Sequence, residues 1–203
     1  MSVPELFLAL VAFCAVTLIT PGPNNVMLMT SGLNYGFQRS QPHLWGVTLG
    51  FAIMVLAVGL GLGAVFAAYP VVYTILKYAG AAYLLYLAWM IAISGPVEGE
   101  DAQSGKPLTF MQAAAFQWIN PKGWVMAVGS VSAYAGIAVF PYNMMVIAAL
   151  FCVLGVVSSS VWTALGQSLR RLLTDARAVR VFNAVMALAL VASLWPVLKD
   201  LLP

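Results

Sequence analysis

The 203-residue chain has very little charge, since Asp, Glu, Lys and Arg together make up 7% of it, whereas soluble domains carry about a quarter. It also has only one histidine and two cysteines. Cys14 and Cys152 lie in apolar sequence without metal-like spacing, so we expect neither a disulfide framework nor a metal centre. One histidine gives no support to Ser-His catalysis. We therefore expect no enzyme, metal or cofactor.

Long apolar runs take the place of the missing charges. Hydrophobic residues make up 63% of the chain, and its mean hydropathy is +0.95, which indicates an integral membrane protein. A helix needs about 20 apolar residues to cross the hydrocarbon of a bilayer. Six segments are long enough: approximately 4–31, 44–68, 71–93, 110–138, 142–168 and 181–199. The sequence therefore predicts an all-α polytopic membrane protein with six transmembrane helices.

Basic residues lie mainly on one side of these predicted spans. The loops after the first, third and fifth spans contain Arg39, Lys106, Arg170, Arg171, Arg177 and Arg180. The opposite side has only Lys199, so the positive-inside rule places those loops in the cytoplasm and both termini outside. The net charge of +3 follows from this topology and does not indicate a nucleic-acid partner.

The first apolar segment is interrupted at Thr20, Pro21, Gly22, Pro23, Asn24 and Asn25. Two prolines remove two N–H donors, and Gly22 loosens the chain between them. Non-helical backbone at membrane depth persists only where it is buried in protein or lines a wet cavity. The break therefore predicts a polar site inside the membrane, as in many secondary transporters.

A second break matches the first, because Ile19-Thr20-Pro21 reappears as Ile119-Asn120-Pro121. The match suggests two three-helix halves, residues 1–93 and 109–203, joined by a polar linker at 94–108. A half with three spans reverses the direction of the chain, so the second half must be inverted relative to the first. Inverted repeats with paired broken helices place a binding site between the halves.

Both breaks contain candidate binding residues. A half-helix beginning near Asn24 would present N–H groups and a positive dipole end that suit a carboxylate, while Asn24 and Asn25 either cap that helix or contact a ligand. Lys122 is the only charged residue deep within predicted helices 2, 4 and 5, and it either serves substrate or coupling or anchors the broken backbone. The predicted substrate-binding set is Thr20, Pro21, Gly22, Pro23, Asn24, Asn25, Asn120, Pro121 and Lys122.

Other polar and small residues have structural interpretations. Ser159, Thr163 and Gln167 form a stripe that favours hydrogen bonds between helices, or else lines a polar route. Two pairs of glycines in the second span, 46 with 50 and 59 with 63, are each spaced by four residues and indicate close packing inside the bundle or a homodimer seam. His43 is expected in the loop before that span.

Several runs together resemble the LysE/RhtB family of bacterial amino-acid exporters. They are Leu18 to Asn25, Gly36-Phe37, Gly46 to Phe51, Gly80 to Tyr83, Leu87 to Trp89 and Phe116 to Lys122. The TPGPNN form looks most like the cysteine and O-acetylserine exporter branch. The resemblance implies export of small amino acids or their derivatives across the bacterial inner membrane, driven by the proton motive force. In that membrane, the positive-inside rule places both termini in the periplasm. The resemblance also implies that Pro21 to Asn24 and Asn120 to Lys122 are the two family motifs.

Two other functions remain open at this point. A metal-cation exporter of a related inverted-repeat type would need oxygen ligands, usually carboxylates, and Lys122 would repel its ion. A non-transporting scaffold subunit would explain the glycines and the basic loop but would give the paired breaks no purpose. Proton coupling is also open, because the predicted helices have no Asp, Glu or His at depth. Either Lys122 titrates, or protons move with the substrate amine, or export is not proton-coupled.

Overall fold

A computed structural model describes residues 2–62, 68–93, 106–173 and 175–195, and all regular structure within these ranges is helical. The predicted all-α class is therefore confirmed. The helices are α1 (Val3–Ile19), α2 (Pro23–Arg39), α3 (Gln41–Ala57), α4 (Pro70–Ile93), α5 (Phe110–Gln117), α6 (Pro121–Tyr134), α7 (Tyr142–Leu172) and α8 (Ala176–Ala192). A π-helical turn, Val58–Leu62, continues α3, and a 3-10 turn, Ala135–Ile137, follows α6.

Local sequence explains where several helices begin. Thr109 and Gln112 form a reciprocal capping box at the start of α5, and the Asp175 side chain accepts a hydrogen bond from the Arg177 N–H at the start of α8. Prolines occupy the first turns of α1, α2, α3 and α6, where a missing N–H costs no helical hydrogen bond.

Some of these helices are long and apolar enough to cross a bilayer. Gln41–Leu62 and Tyr142–Arg170 each qualify alone, and α1 with α2 qualifies as one broken span bent by 54°. α4 adds a shorter apolar stretch, Tyr78–Ile93. The six-span count and the inverted repeat remain predictions. Residues 63–67, 94–105 and 196–203, which include most of the predicted linker and the end of the predicted sixth span, lie outside the described residues.

Two predicted loops are in fact helical. His43 was expected in a loop but lies in the first turn of α3, because Pro42 is tolerated at a helix start and the helix extends past the apolar run. The basic connection predicted at Arg170 to Arg180 is also mostly helix, since α7 continues to Leu172 and α8 begins at Ala176. Its arginines therefore belong to the ends of two helices.

Glycines allow the helices that carry the breaks to pack at backbone contact. A Cβ on Gly32 of α2 would lie 2.0 Å from the Thr163 carbonyl oxygen of α7, and one on Gly166 would lie 1.9 Å from that of Met29. The half-helix after the first break, α2, is held rigidly against α7.

A Cβ on Gly46 of α3 would likewise lie too close to the Phe110 carbonyl oxygen of α5. Gly50 meets the Ala114 backbone of α5, and Gly59 meets the Met144 side chain. The packing interpretation is thereby confirmed for Gly46, Gly50 and Gly59, whereas Gly63 lies outside the described residues.

Candidate functional site

The first break separates α1 from α2 and leaves backbone carbonyls without helical partners. Gly22 is fully extended, and Pro23 begins α2 without an N–H to donate. The Asn25 side-chain amide donates to the carbonyls of Leu18 and Thr20, both at 2.9 Å, and the Ser158 hydroxyl donates to Leu18 at 2.9 Å. Side chains thus satisfy the opened backbone, as a position inside a membrane requires.

The N-terminus of α2 has no side-chain cap. The capping role considered for Asn24 and Asn25 is therefore wrong, because Pro23 at the first helical position makes Gly22 the cap residue, and glycine has no side chain to offer. The first hydrogen bond of this turn runs from the Val26 N–H to the Gly22 carbonyl. The N–H groups of Asn24 and Asn25 have no acceptor within the helix and form its positive end.

The second break, between α5 and α6, is closed by hydrogen bonds between residues that are near neighbours in the sequence. The Asn120 side chain accepts a hydrogen bond from the Lys122 N–H at 3.2 Å and so caps α6. The Trp124 indole donates to the Trp118 carbonyl at 2.8 Å, a role that the sequence did not indicate. Both polar groups that close this break come from residues within six positions of their partners.

Two direct contacts join the breaks. The Lys122 ammonium of the second break donates to the Thr20 carbonyl of the first. Asn24 and Gln117 pair through their amides, with N···O distances of 2.8 and 3.1 Å. Gln117 is completely buried, and its side chain was missed as a site residue. Its only signal in the sequence is a polar residue in an apolar run just before the second break.

The site carries net positive charge. Lys122 is half-buried, and its ammonium is hydrogen-bonded to a neutral carbonyl rather than to a carboxylate. The two described carboxylates, Glu5 and Asp175, bind backbone N–H groups at the starts of α1 and α8. The uncapped end of α2 adds a partial positive charge. A carboxylate or another anion is the ligand that this arrangement favours.

A cavity of about 30 Å³ lies between the breaks. This volume holds one or two water molecules and is too small for an amino acid, so a substrate requires the helices to separate. Of the predicted site residues, five line it: Gly22, Asn24, Asn25, Asn120 and Lys122. Five lining residues were not predicted: Thr17, Leu18, Phe51, Gly123 and Met126.

The four remaining predicted residues act through the backbone. Thr20 offers its carbonyl to Lys122, whereas its hydroxyl donates to Val16 of its own helix at 2.6 Å. Pro21 is exposed, while Pro23 and Pro121 occupy the first turns of α2 and α6. These prolines shape the breaks without lining the cavity.

Gly22 makes room for Lys122. A Cβ at position 22 would lie 2.8 Å from Lys122 Cδ and 3.1 Å from Lys122 Nζ. The backbone at Gly22 is extended and could be adopted by any residue, so the requirement for glycine comes from the lysine side chain. The two motifs are complementary in shape as well as in charge.

A second cavity of about 30 Å³ lies on the other side of Asn24 and Asn25, against Ser158 and Ser159. Here the Thr48 hydroxyl donates to the Ser159 hydroxyl at 3.3 Å, which joins α3 to α7.

Further along α7, Gln167 accepts from the Phe37 N–H at 2.6 Å, whereas Thr163 donates to the Ser159 carbonyl of its own helix at 2.7 Å. The predicted hydrogen bonds between helices are thus confirmed for Ser159 and Gln167. The prediction is wrong for Thr163, whose hydroxyl stays within its helix.

The sequence of this chain matches the family described as LysE type translocator over residues 15–193. The chain belongs to this family. Both breaks and all the residues that join them fall within the matched region. The apolar helices fit a multi-pass protein of the bacterial inner membrane. Among the described residues, no group of three or more His, Cys, Asp or Glu could hold a metal ion.

Relatives with a named function match nearly the whole chain. The cysteine/O-acetylserine efflux proteins of Escherichia coli (strain K12) and Shigella sonnei (strain Ss046) are each 33% identical over 190 residues, which is 93% of this chain and 95% of theirs. The protein of that name from Escherichia coli O139:H28 is 32% identical over the same length. No solved structure matches this chain.

Proposed function

We propose that this chain exports a small neutral amino acid or derivative, such as cysteine or O-acetylserine, across the bacterial inner membrane. One observation carries the proposal: Lys122 of the second break reaches the Thr20 carbonyl of the first, and neither carboxylate in the described part of the chain is its partner. The named function of the relatives supports the export direction and the class of substrate.

The substrate carboxylate binds where Lys122 now meets Thr20. It replaces the neutral carbonyl as the partner of the ammonium, and it accepts from the N–H groups of Asn24 and Asn25 at the positive end of α2. An ammonium hydrogen bond to a carboxylate is stronger than one to a carbonyl, so substrate competes for Lys122 and loosens the contact between the breaks. Substrate binding and opening of the site are thereby linked.

The architecture proposed for this function is two inverted three-helix halves with six spans and with both termini in the periplasm. The matched breaks and the bend of 54° between α1 and α2 support the paired arrangement. Arg39, Arg177 and Arg180 lie at helix ends that this topology places in the cytoplasm, next to membrane lipid. The proposal includes a homodimer formed through the exposed apolar helix faces.

The alternative functions account for less of the site. A metal-cation exporter would bring a cation to Lys122 and to the positive end of α2, which repel it. A scaffold subunit gives no reason for a lysine to cross from one break to the other. The glycines and the basic residues that a scaffold would explain are equally compatible with a transporter.

Counterflow in proteoliposomes tests the proposal. Vesicles containing the purified chain are loaded with unlabelled amino acid, and uptake of labelled cysteine, O-acetylserine, threonine, homoserine and lysine is measured. We expect exchange of cysteine or O-acetylserine and little exchange of lysine, whose extra cation would face Lys122. Absence of exchange for every substrate would contradict the proposed function.

A further inference from the structure

A much larger cavity lies away from the breaks, between α2, α4 and the chain from Lys106 to Gln112. Its volume is about 320 Å³, roughly ten times that of the cavity beside Lys122. Met27, Leu87 and Ile91 form apolar walls, and Ser31 and His43 are among the polar residues that line it. Cavities of this size and composition commonly bind small molecules.

His43 is among the residues that line this cavity, and one of its ring nitrogens has no hydrogen-bond partner among the described residues. The side chain is only 1% exposed, and its Nδ1 lies 2.8 Å from the Ser31 hydroxyl oxygen. Its Nε2 is buried and has no partner among the described residues. Buried polar atoms in folded proteins are nearly always hydrogen-bonded, so an unpaired ring nitrogen beside a cavity of this size indicates a missing partner.

The Ser31 contact is compatible with two tautomers of His43. In one, the Ser31 hydroxyl donates to Nδ1 and the ring proton lies on Nε2. In the other, Nδ1 donates to the Ser31 oxygen, which leaves both the hydroxyl proton and Nε2 without a partner among the described residues. We take the first tautomer because it leaves fewer polar groups unpaired, and its Nε2 requires an oxygen acceptor such as a carboxylate or an ester carbonyl.

The rest of the cavity suits a small zwitterion. Lys106 lines it from the exposed end, and none of its described lining residues is a carboxylate. The rings of Tyr83 and Tyr86, whose centroids are 6.1 Å apart, offer aromatic surface to an amine. On the predicted topology, Lys106 marks the cytoplasmic side.

Helix α2 connects this cavity to the breaks. Asn24 and Ser31 are seven residues apart, which places them on one face about 10 Å along the helix. Met27 lines the cavity, is almost fully buried, and lies one turn from Asn24. A molecule in the cavity therefore has Met27 between itself and the site at Lys122.

We propose that this cavity is a second binding site, in which a small amino acid or its acyl derivative is held through an oxygen that accepts from His43 Nε2. The identity of the ligand rests on the proposed function, since the exported molecule would occupy this cavity before reaching the breaks. The existence of the site rests on the cavity and on the Ser31 and His43 geometry.

Binding measurements on a Lys122→Met background isolate this second site. The purified full chain in detergent is titrated with labelled O-acetyl-L-serine, and His43→Asn and His43→Gln are compared. Asn places its amide near the Nδ1 position and can still pair with Ser31, whereas Gln reaches the Nε2 position and keeps a donor there. We expect Asn to weaken binding about tenfold and Gln to change it less than about threefold.

Two further variants complete the design. Ser130→Ala is the control. It removes a fully buried hydroxyl that donates to the Ala127 carbonyl at 3.0 Å and does not line this cavity, so binding should be unchanged. Leu87→Trp fills the cavity without altering His43 and should abolish binding. Leu87→Trp also tests the second site if a His43 variant fails to fold.

The outcomes separate this site from the proposed function. Unchanged binding in a folded His43→Asn or Leu87→Trp protein overturns the second site, as does the absence of any binding in Lys122→Met. Counterflow by the wild-type chain is measured in parallel. If counterflow is absent but His43-dependent binding is found, the export function is wrong and the second site stands. If counterflow is present but that binding is absent, the export function stands and the second site is wrong.

Discussion

The two breaks satisfy their opened backbone by different means. The second break is closed by its own residues, with Asn120 capping α6 and Trp124 binding the Trp118 carbonyl. The first break is closed by its own Asn25 together with residues from other helices, since Ser158 of α7 and Lys122 of α6 bind the same carbonyls. It also leaves the N-terminus of α2 uncapped.

This difference assigns separate roles to the two motifs. A locally capped break can present a cation without losing its own structure, and that cation is Lys122. An uncapped break keeps N–H donors available for a ligand. Changes at the first break and at Lys122 should therefore alter exchange, and loss of the cap at the second break should mainly alter stability.

The largest effect is expected for Lys122→Met, which removes the cation but keeps the length of the side chain. A hydrogen bond to a charged group contributes about 1.5–3 kcal/mol, so substrate affinity should fall roughly 10- to 100-fold and counterflow should be lost. Thermal unfolding and size-exclusion profiles serve as controls for folding. Undiminished counterflow in this variant would mean that Lys122 only anchors the broken backbone.

A smaller effect is expected for Gly22→Ala. The new Cβ would lie 2.8 Å from Lys122 Cδ, and this flexible side chain can move away without disturbing the backbone. We expect normal folding with exchange reduced about tenfold, because the displaced lysine loses its position.

Gly32→Ala is the matched control on the same helix. Its Cβ would lie 2.0 Å from the Thr163 carbonyl oxygen, a backbone atom that cannot yield. This variant should lose stability, as measured by thermal unfolding. Equal effects of the two substitutions on stability would show that Gly22 is needed for packing rather than for Lys122.

Asn120→Ala tests the local cap. Loss of the Asn120 cap should lower the free energy of unfolding by about 1 kcal/mol, which would be detected as a lower unfolding midpoint. Asn120→Asp keeps an oxygen acceptor for the Lys122 N–H, so stability should recover. The new carboxylate would also lie in the cavity that Lys122 lines and should compete with substrate, so exchange should fall below that of Asn120→Ala. Exchange in Asn120→Asp at or above that of Asn120→Ala would contradict the positive character of the site.

The smallest effect is expected for Thr20→Val. The Thr20 hydroxyl bonds to Val16 of its own helix and is exposed, and only the Thr20 carbonyl reaches Lys122. Exchange should therefore stay within about twofold of wild type. A large loss of counterflow would place the threonine hydroxyl in the substrate site.

The sequence predicted both breaks because their causes are local. Pro21, Pro23 and Pro121 interrupt helices wherever the chain folds, and Lys122 stands out in an apolar segment. The contact between Asn24 and Gln117 could not be predicted, since these residues are 93 positions apart and meet only through helix packing.

The errors also have local physical reasons. Asn24 and Asn25 resemble capping residues, but Pro23 moves the cap position to Gly22. Gln41, Pro42 and His43 resemble a loop, yet a proline is compatible with the first turn of a helix, which continues beyond the apolar residues. The hydrogen bond of His43 to Ser31, 12 residues away on the preceding helix, was therefore missed.

The most direct test of the account is whether binding depends on the substrate carboxylate through Lys122. Competition against labelled substrate is compared for cysteine and for cysteamine, which is cysteine without its carboxylate, in the wild type and in Lys122→Met. We predict that cysteine binds the wild type at least about tenfold more tightly than cysteamine, and that Lys122→Met reduces this preference sharply. Equal competition by the two compounds in the wild type would contradict the claim that the paired breaks form a carboxylate site.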